Sequence, residues 1–162
     1  MNKKAEYREL VVYPHPQLTS QSLPVRKINQ DVCDKLDEMT QIMLNYYGIG
    51  LAAPQIGISK RLIVVQLNKI LYQVINPKIS WQCNGSKCET EGCLSFPEQF
   101  YKVNRAEEVV LEGIDPNKKE ITVLANGLLA RVFQHEIDHL DGILINSIGI
   151  FVSSDNDNYE KL

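Results

Sequence analysis

The sequence predicts an α+β fold: antiparallel β-sheets packed around a central metal-binding α-helix, with another helix near the N-terminus. Three observations carry this. Short β-rich runs at residues 61–66, 71–75, 109–111 and 121–124 are separated by turn residues. A helical apolar stripe occupies residues 28–46. A second stripe, late in the chain at about Gly127–Leu140, carries Gln134-His135-Glu136-Ile137-Asp138-His139. Strands first and one buried helix late point to sheets that wrap that helix.

In chain order, Leu10-Val11-Val12-Tyr13 is a strand candidate, stopped by Pro14-His15-Pro16, with an extended loop to Pro24. The first helix presents Ile28, Val32, Leu36, Met39, Met43 and Leu44 on one stripe. Asn29 or Asp31 can cap it and Gly48 is placed to end it. Gly48 to Gln55 reads as a Gly/Ala/Pro loop, and Asn68-Lys69 joins two strands. Asn76-Pro77 is expected to break the second, leaving 78–81 as a separate strand before a polar loop with Asn84-Gly85. Gly113-Ile114-Asp115-Pro116-Asn117 turns a hairpin between 109–111 and 121–124. Residues 143–150 suit a short strand, and 152–162 read as a polar tail.

The chain has 162 residues, 44% hydrophobic and 23% charged. That suits one soluble globular domain, which buries about 70% of its unfolded surface. A formal net charge of −3 offers no attraction to nucleic acid or acidic membrane. No apolar run approaches the length of a membrane span. The first nine residues lack the apolar region of a secretory signal, and Glu6 and Glu9 argue against a transit peptide. Four cysteines in a chain with this much core read as free thiols in a reducing compartment.

The chemistry concentrates at His135, Glu136 and His139. Positions i and i+4 share a helix face, so both imidazoles can address one ion, with Glu136 beside them as a base that is not a ligand. A catalytic site normally keeps three protein ligands. His15 sits in a Pro-rich loop and reads as an exposed loop residue. The cysteines are better candidates for the third. Cys93 lies in Glu91-Gly92-Cys93-Leu94-Ser95-Phe96-Pro97, bounded by Gly and Pro as a tight loop, and its thiolate would complete a Cys-His-His set. The even spacing of Cys83, Cys88 and Cys93 matches no C-x-x-C knuckle, and Cys33 reads as a small buried hydrophobe. Gly48 and Gly50 are not a phosphate cradle, because no G-K-[ST] follows; they suit close approach to an extended peptide.

Three stretches, in order, resemble the signature motifs of the peptide deformylase family: Gly48-Ile49-Gly50-Leu51-Ala52-Ala53-Pro54-Gln55, Glu91-Gly92-Cys93-Leu94-Ser95 and Gln134-His135-Glu136-Ile137-Asp138-His139-Leu140. Tyr13-Pro14-His15-Pro16, Val103-Asn104-Arg105 and Gly127-Leu128-Leu129-Ala130-Arg131 extend the likeness over about residues 9–146. The resemblance implies removal of the N-formyl group from formyl-methionyl nascent peptides, in a cytoplasm of bacterial type with an organelle left open. It implies that Cys93, His135 and His139 bind one divalent ion, natively Fe2+, with Zn2+, Ni2+ or Co2+ able to substitute. Glu136 then takes and returns a proton, while the Gln55 amide and the Leu94 backbone N–H donate to the oxyanion. Gly50 pairs with the substrate backbone, and Ile49, Leu128 and Val132 line the methionine pocket. Glu91 and Arg105 form an ion pair that steadies the cysteine loop.

The sequence departs from the family at Glu89, near a usual apolar pocket position, and at Phe100, where some bacterial members carry a basic residue. A transient ribosome contact is the remaining family partner, but the tail here is short and acidic beside the long basic helix that serves it in some members. Two rivals stand beside this reading. One is a zinc endopeptidase, which does not require the Cys93 loop. The other is a non-catalytic metal-binding or peptide-binding module, for which Glu136 would be dispensable.

Overall fold

The computed structural model describes residues 8–153. The expectations for the first seven residues and for the tail from residue 154 lie outside it.

The first helix, α1 (Gln30–Asn45), is capped by Asn29, whose side chain accepts the Val32 N–H. It buries Val32, Leu36, Met39, Ile42 and Met43, while Leu44, expected on the stripe, is exposed. Its end falls earlier than Gly48. Tyr47 takes the left-handed conformation at φ 56°, with Tyr47 N–H on Leu44 O and Gly48 N–H on Met43 O. That pair of bonds is a Schellman stop, with tyrosine where glycine is usual.

The Gly/Ala/Pro stretch is not all loop. It forms β1 (Gly50–Ala52) and a 3-10 turn at Ala53–Ile56. Next come β2 (Leu62–Leu67) and β3 (Ile70–Gln82). Asn76-Pro77 does not end the second strand, so residues 78–81 continue it. The ladder shifts register between Ile75 and Lys78, which makes Pro77 tolerable. Asn76, at φ 52°, turns its amide onto both the N–H and the C=O of Val25.

Two strands were not anticipated: β4 (Ser86–Cys93) and β5 (Phe96–Ala106). The chain then makes the expected hairpin, β6 (Glu108–Ile114) and β7 (Glu120–Asn126). The second helix, α2 (Gly127–Leu140), has its predicted bounds. Residues 143–150, expected as a strand, instead hold the one-turn helix α3 (Ile145–Ile148). The last strand, β8 (Ile150–Ser153), takes two residues of the expected tail. Residues 10–13 form no ladder: Val11 N–H goes to Gln55 O in the 3-10 turn and Tyr13 N–H to Ser95 O in the β4–β5 turn.

One sheet runs β1-β2-β3-β6-β7 and the other β4-β5-β8, with every neighbouring pair antiparallel. In β2 alternate residues face opposite ways. Leu62 and Val64 pack with α1, and Ile63 and Val65 pack with Val132, Phe133, Ile137 and Leu140 of α2. Both faces of β2 are therefore covered, which is why four consecutive apolar residues are fully buried. A third cluster, with Phe96, Tyr101 and Val103, seats the small sheet beside Leu18 and Ile145. Among the described residues no helix is long and apolar enough to cross a membrane.

Candidate metal centre

Two elements, α2 and β4, meet at the polar heart of the core. Helix α2 presents His135, Glu136 and His139, all buried. Cys93 closes β4 at a break in its register with β5. Its Sγ and one ring nitrogen from each histidine all lie within 4.8 Å of one another, and Sγ is 3.2 Å from His139 Nε2. Among the described residues this is the cluster whose donors could hold an ion. His15 is elsewhere, its Nδ1 accepting the Gln17 N–H as the cap of a 3-10 turn. Cys33, Cys83 and Cys88 are free and outside the cluster.

The donors fit a divalent ion. His135 Nε2, His139 Nδ1 and both carboxylate oxygens of Glu136 are buried without a hydrogen-bond partner, which is costly for a site with nothing to bind. One sulfur and two imidazoles form a set suited to zinc or ferrous iron. Burial pushes the Cys93 thiol well up, although backbone N–H groups of Ser95 and Phe96 oppose this by hydrogen-bonding the sulfur. Burial, then the neighbouring His135, holds His139 well below its ordinary value and hence neutral, the form that ligates. Burial also raises the Glu136 carboxyl well above its ordinary value, against the pull of Arg105.

Around these residues lies a buried charge network. Glu91 Oε1 accepts from Arg105 Nε at 2.8 Å and from Arg131 Nη1 at 2.7 Å. Its Oε2 accepts from Arg105 Nη2 at 3.0 Å and from His135 Nδ1 at 3.0 Å. With Nδ1 engaged as donor, the His135 lone pair sits on Nε2, the atom left for an ion. Burial alone would raise the Glu91 carboxyl. The hydrogen bonds from His135 and Arg105 outweigh it and hold the group well below the carboxylate range. The sequence assigned roles to Glu91 and Arg105 but none to Arg131 and Asp138. Asp138 pairs with Arg105, and Arg131 also donates to the carbonyls of Val103 and Lys87 and to Glu89. An arginine beside Ala130, Val132 and Phe133 on a buried helix was the available signal, since a buried guanidinium must be paired.

The remaining expected residues surround the same point. The Gln55 Oε1 accepts the Ala52 N–H at 2.8 Å, which turns Nε2 towards Ser95 Oγ at 3.2 Å and Cys93 Sγ at 3.6 Å. Ser95 in turn donates to Val11 O. Leu94 is buried beside Gly48, and with Cys93, Leu10 and Tyr46 it lines a surface cavity of about 310 Å³. Gly50 pairs with Val65 and lies against Glu136 and Val132. Ile49, Leu128 and Val132 join one apolar cluster, with Val132 buried and the other two half-buried. Glu89 is paired with Lys87 and Arg131, and shares a cavity of about 250 Å³ with Leu128. Phe100 is buried in β5.

The sequence pattern of the polypeptide deformylase family matches residues 7–148. A peptide deformylase of Syntrophomonas wolfei is 47% identical over 136 residues, covering 84% of this chain and 89% of that protein. One from Thermodesulfovibrio yellowstonii is 46% identical over 142 residues, covering 85% and 86%. Among solved structures, the peptide deformylase of Thermotoga maritima superposes with a TM-score of 0.86 at 35% identity, covering 88% of this chain and 97% of that one. That of Synechococcus elongatus, in complex with actinonin, gives 0.86 at 36% identity, covering 96% and 84%. Fold, sequence and the converging thiol and imidazoles agree, and the chain belongs to the polypeptide deformylase family.

Proposed function

We propose that this chain removes the formyl group from the N-terminal formyl-methionine of newly made polypeptides, with Cys93, His135 and His139 holding one Fe2+ ion. The observation that carries the reading is the cluster itself: three ligand-type side chains beside an unpartnered, buried carboxyl that is not needed as a ligand. Zn2+, Ni2+ and Co2+ suit the same donors. When bound, the ion supplies Lewis acidity, acidifying water towards neutral pH and polarising the formyl carbonyl.

The chain's own residues do the rest. Gly50 offers backbone to an extended peptide, and its lack of a side chain lets Glu136 and Val132 pack directly against that backbone. Ile49, Leu128 and Val132 bound the apolar space for the methionine side chain. The Gln55 Nε2 and the Leu94 N–H donate to the formyl oxygen as charge develops on it. Glu136 takes a proton from the attacking water and delivers it to the peptide nitrogen as the C–N bond breaks. The products are formate and a free α-amine. Such proton transfer contributes typically about 10²–10⁴-fold. Glu91, held between Arg105 and Arg131, keeps His135 oriented and does not react.

The test is an anaerobic assay of the iron-loaded protein on a formyl-Met tripeptide, with Glu136→Ala alongside. Formate release by the wild type and its near-complete loss in the variant are expected. Full activity in Glu136→Ala, or internal cleavage of unformylated peptides by the wild type, would reject the assignment.

A further inference from the structure

Away from the metal cluster, the segment before α1, the start of α1 and the start of β2 line another cavity, of about 460 Å³. It shares no residue with the cluster of Cys93, His135 and His139. Its accessible apolar wall is built by exposed Leu23 and Pro24 with half-buried Val25, backed by buried Val32 and Leu62. Exposed Arg26, Lys27 and Lys60 also line it, and none of these three forms an ion pair among the described residues. A fourth cation, Lys35, is paired with Asp31, the cavity's single carboxylate.

This concentration of positive charge is local, since the whole chain carries a net charge of −3. Concave sites lined by one sign of charge over low-dielectric walls focus the field and draw in counter-charge. The volume falls within the range of small-molecule sites, which pair a mostly apolar lining with a few placed polar groups. A purely ionic ligand would leave the wall of Leu23, Pro24 and Val25 unused. A purely apolar one would crowd three cations that have no ion pair among the described residues.

We propose that this cavity binds an amphipathic organic anion of about nucleotide size, its planar apolar body against Leu23, Pro24 and Val25 and its phosphate, sulfonate or carboxylate between Arg26, Lys27 and Lys60. The site lies outside the deformylation machinery and stands whether or not that reading holds.

The test uses the full chain and the fluorescent probe 8-anilinonaphthalene-1-sulfonate, with AMP and inorganic phosphate as competitors. Saturable binding at one site per chain is expected. AMP displaces the probe at lower concentration than phosphate does, while a formyl-Met tripeptide leaves it in place. Reversing two exposed charges in R26E/K27E should weaken binding by about tenfold or more, as should raising the salt to about 0.5 M. Lys60→Gln, with one exposed charge neutralised, should weaken it less, and neither variant should change thermal stability or tripeptide turnover. Absence of saturable binding, equal affinity in R26E/K27E, equal displacement by AMP and phosphate, or displacement by the tripeptide would each overturn the proposal.

Discussion

Gly50 and Glu136 occupy adjoining volume with no room to spare. A β-carbon on Gly50 would lie 2.9 Å from both Cδ of Glu136 and Cγ1 of Val132, and closer still to the carboxylate oxygen. The movable part of that contact is the Glu136 carboxylate, so Gly50→Ala displaces the proposed base before it disturbs the sheet. A displacement of about 1 Å can cost about 10²-fold in rate. Steady-state kinetics on a formyl-Met tripeptide should show kcat/KM falling by that order while circular dichroism stays unchanged.

The Gln55 carboxamide is oriented by the Ala52 N–H, which leaves its Nε2 as the donor facing Cys93. Gln55→Leu removes both ends. Loss of the donor should raise the barrier by about 3 kcal/mol, read as a drop in kcat. Loss of the acceptor leaves the buried Ala52 N–H unsatisfied, at about 1–3 kcal/mol of stability, read from denaturant unfolding.

Glu91→Gln tests the two-arginine clamp. Breaking a buried ion pair by removing one partner typically costs about 3–5 kcal/mol, and here Arg131 and Arg105 both lose their shared anion. The pH dependence has a definite sign. The folded Glu91 carboxyl is held below its ordinary value of 4.5, so its stabilisation is fully present above that pH. It is lost progressively as pH falls below it. Urea unfolding at pH 7 and at about pH 3.5 should show the gap between wild type and variant narrowing in acid.

Metal removal should abolish tripeptide turnover and lower the melting temperature, because an ion that binds only the folded chain stabilises it. Anaerobic Fe2+ should restore both. Cys93→Ala should weaken metal binding by more than the roughly 10–100-fold typical of losing a hydrogen-bond partner to a ligand. Metal content by plasma emission spectroscopy reads this without any assay of activity.

The sequence made α2 legible because period, flanking glycines and the His-Glu pattern coincide over Gly127–Leu140. It made β2 legible through a run of β-branched residues. It hid β4, an edge strand whose Ser86, Lys87 and Cys88 are exposed, because an exposed polar edge looks like loop. Residues 10–13 point the opposite way: apolar and β-branched, they pair with single carbonyls in two separate turns and join no sheet. The convergence of Cys93 with the histidines is tertiary, but the Gly- and Pro-bounded stretch around the sulfur singles that cysteine out from Cys33, Cys83 and Cys88. Arg131 escaped because its partners come from β4 and β5, the two strands that were not anticipated.

The sulfur and the His139 imidazole are 46 positions apart, and the sulfur arrives on the smaller sheet while both imidazoles arrive on the helix. A disordered chain holds these donors far apart, and closing so long a loop has its own entropic cost. An ion held by these donors would therefore be bound by tertiary architecture and by no local segment alone. A polypeptide still emerging, with Cys93 made but α2 not yet synthesised, would lack both imidazoles of the proposed ligand set.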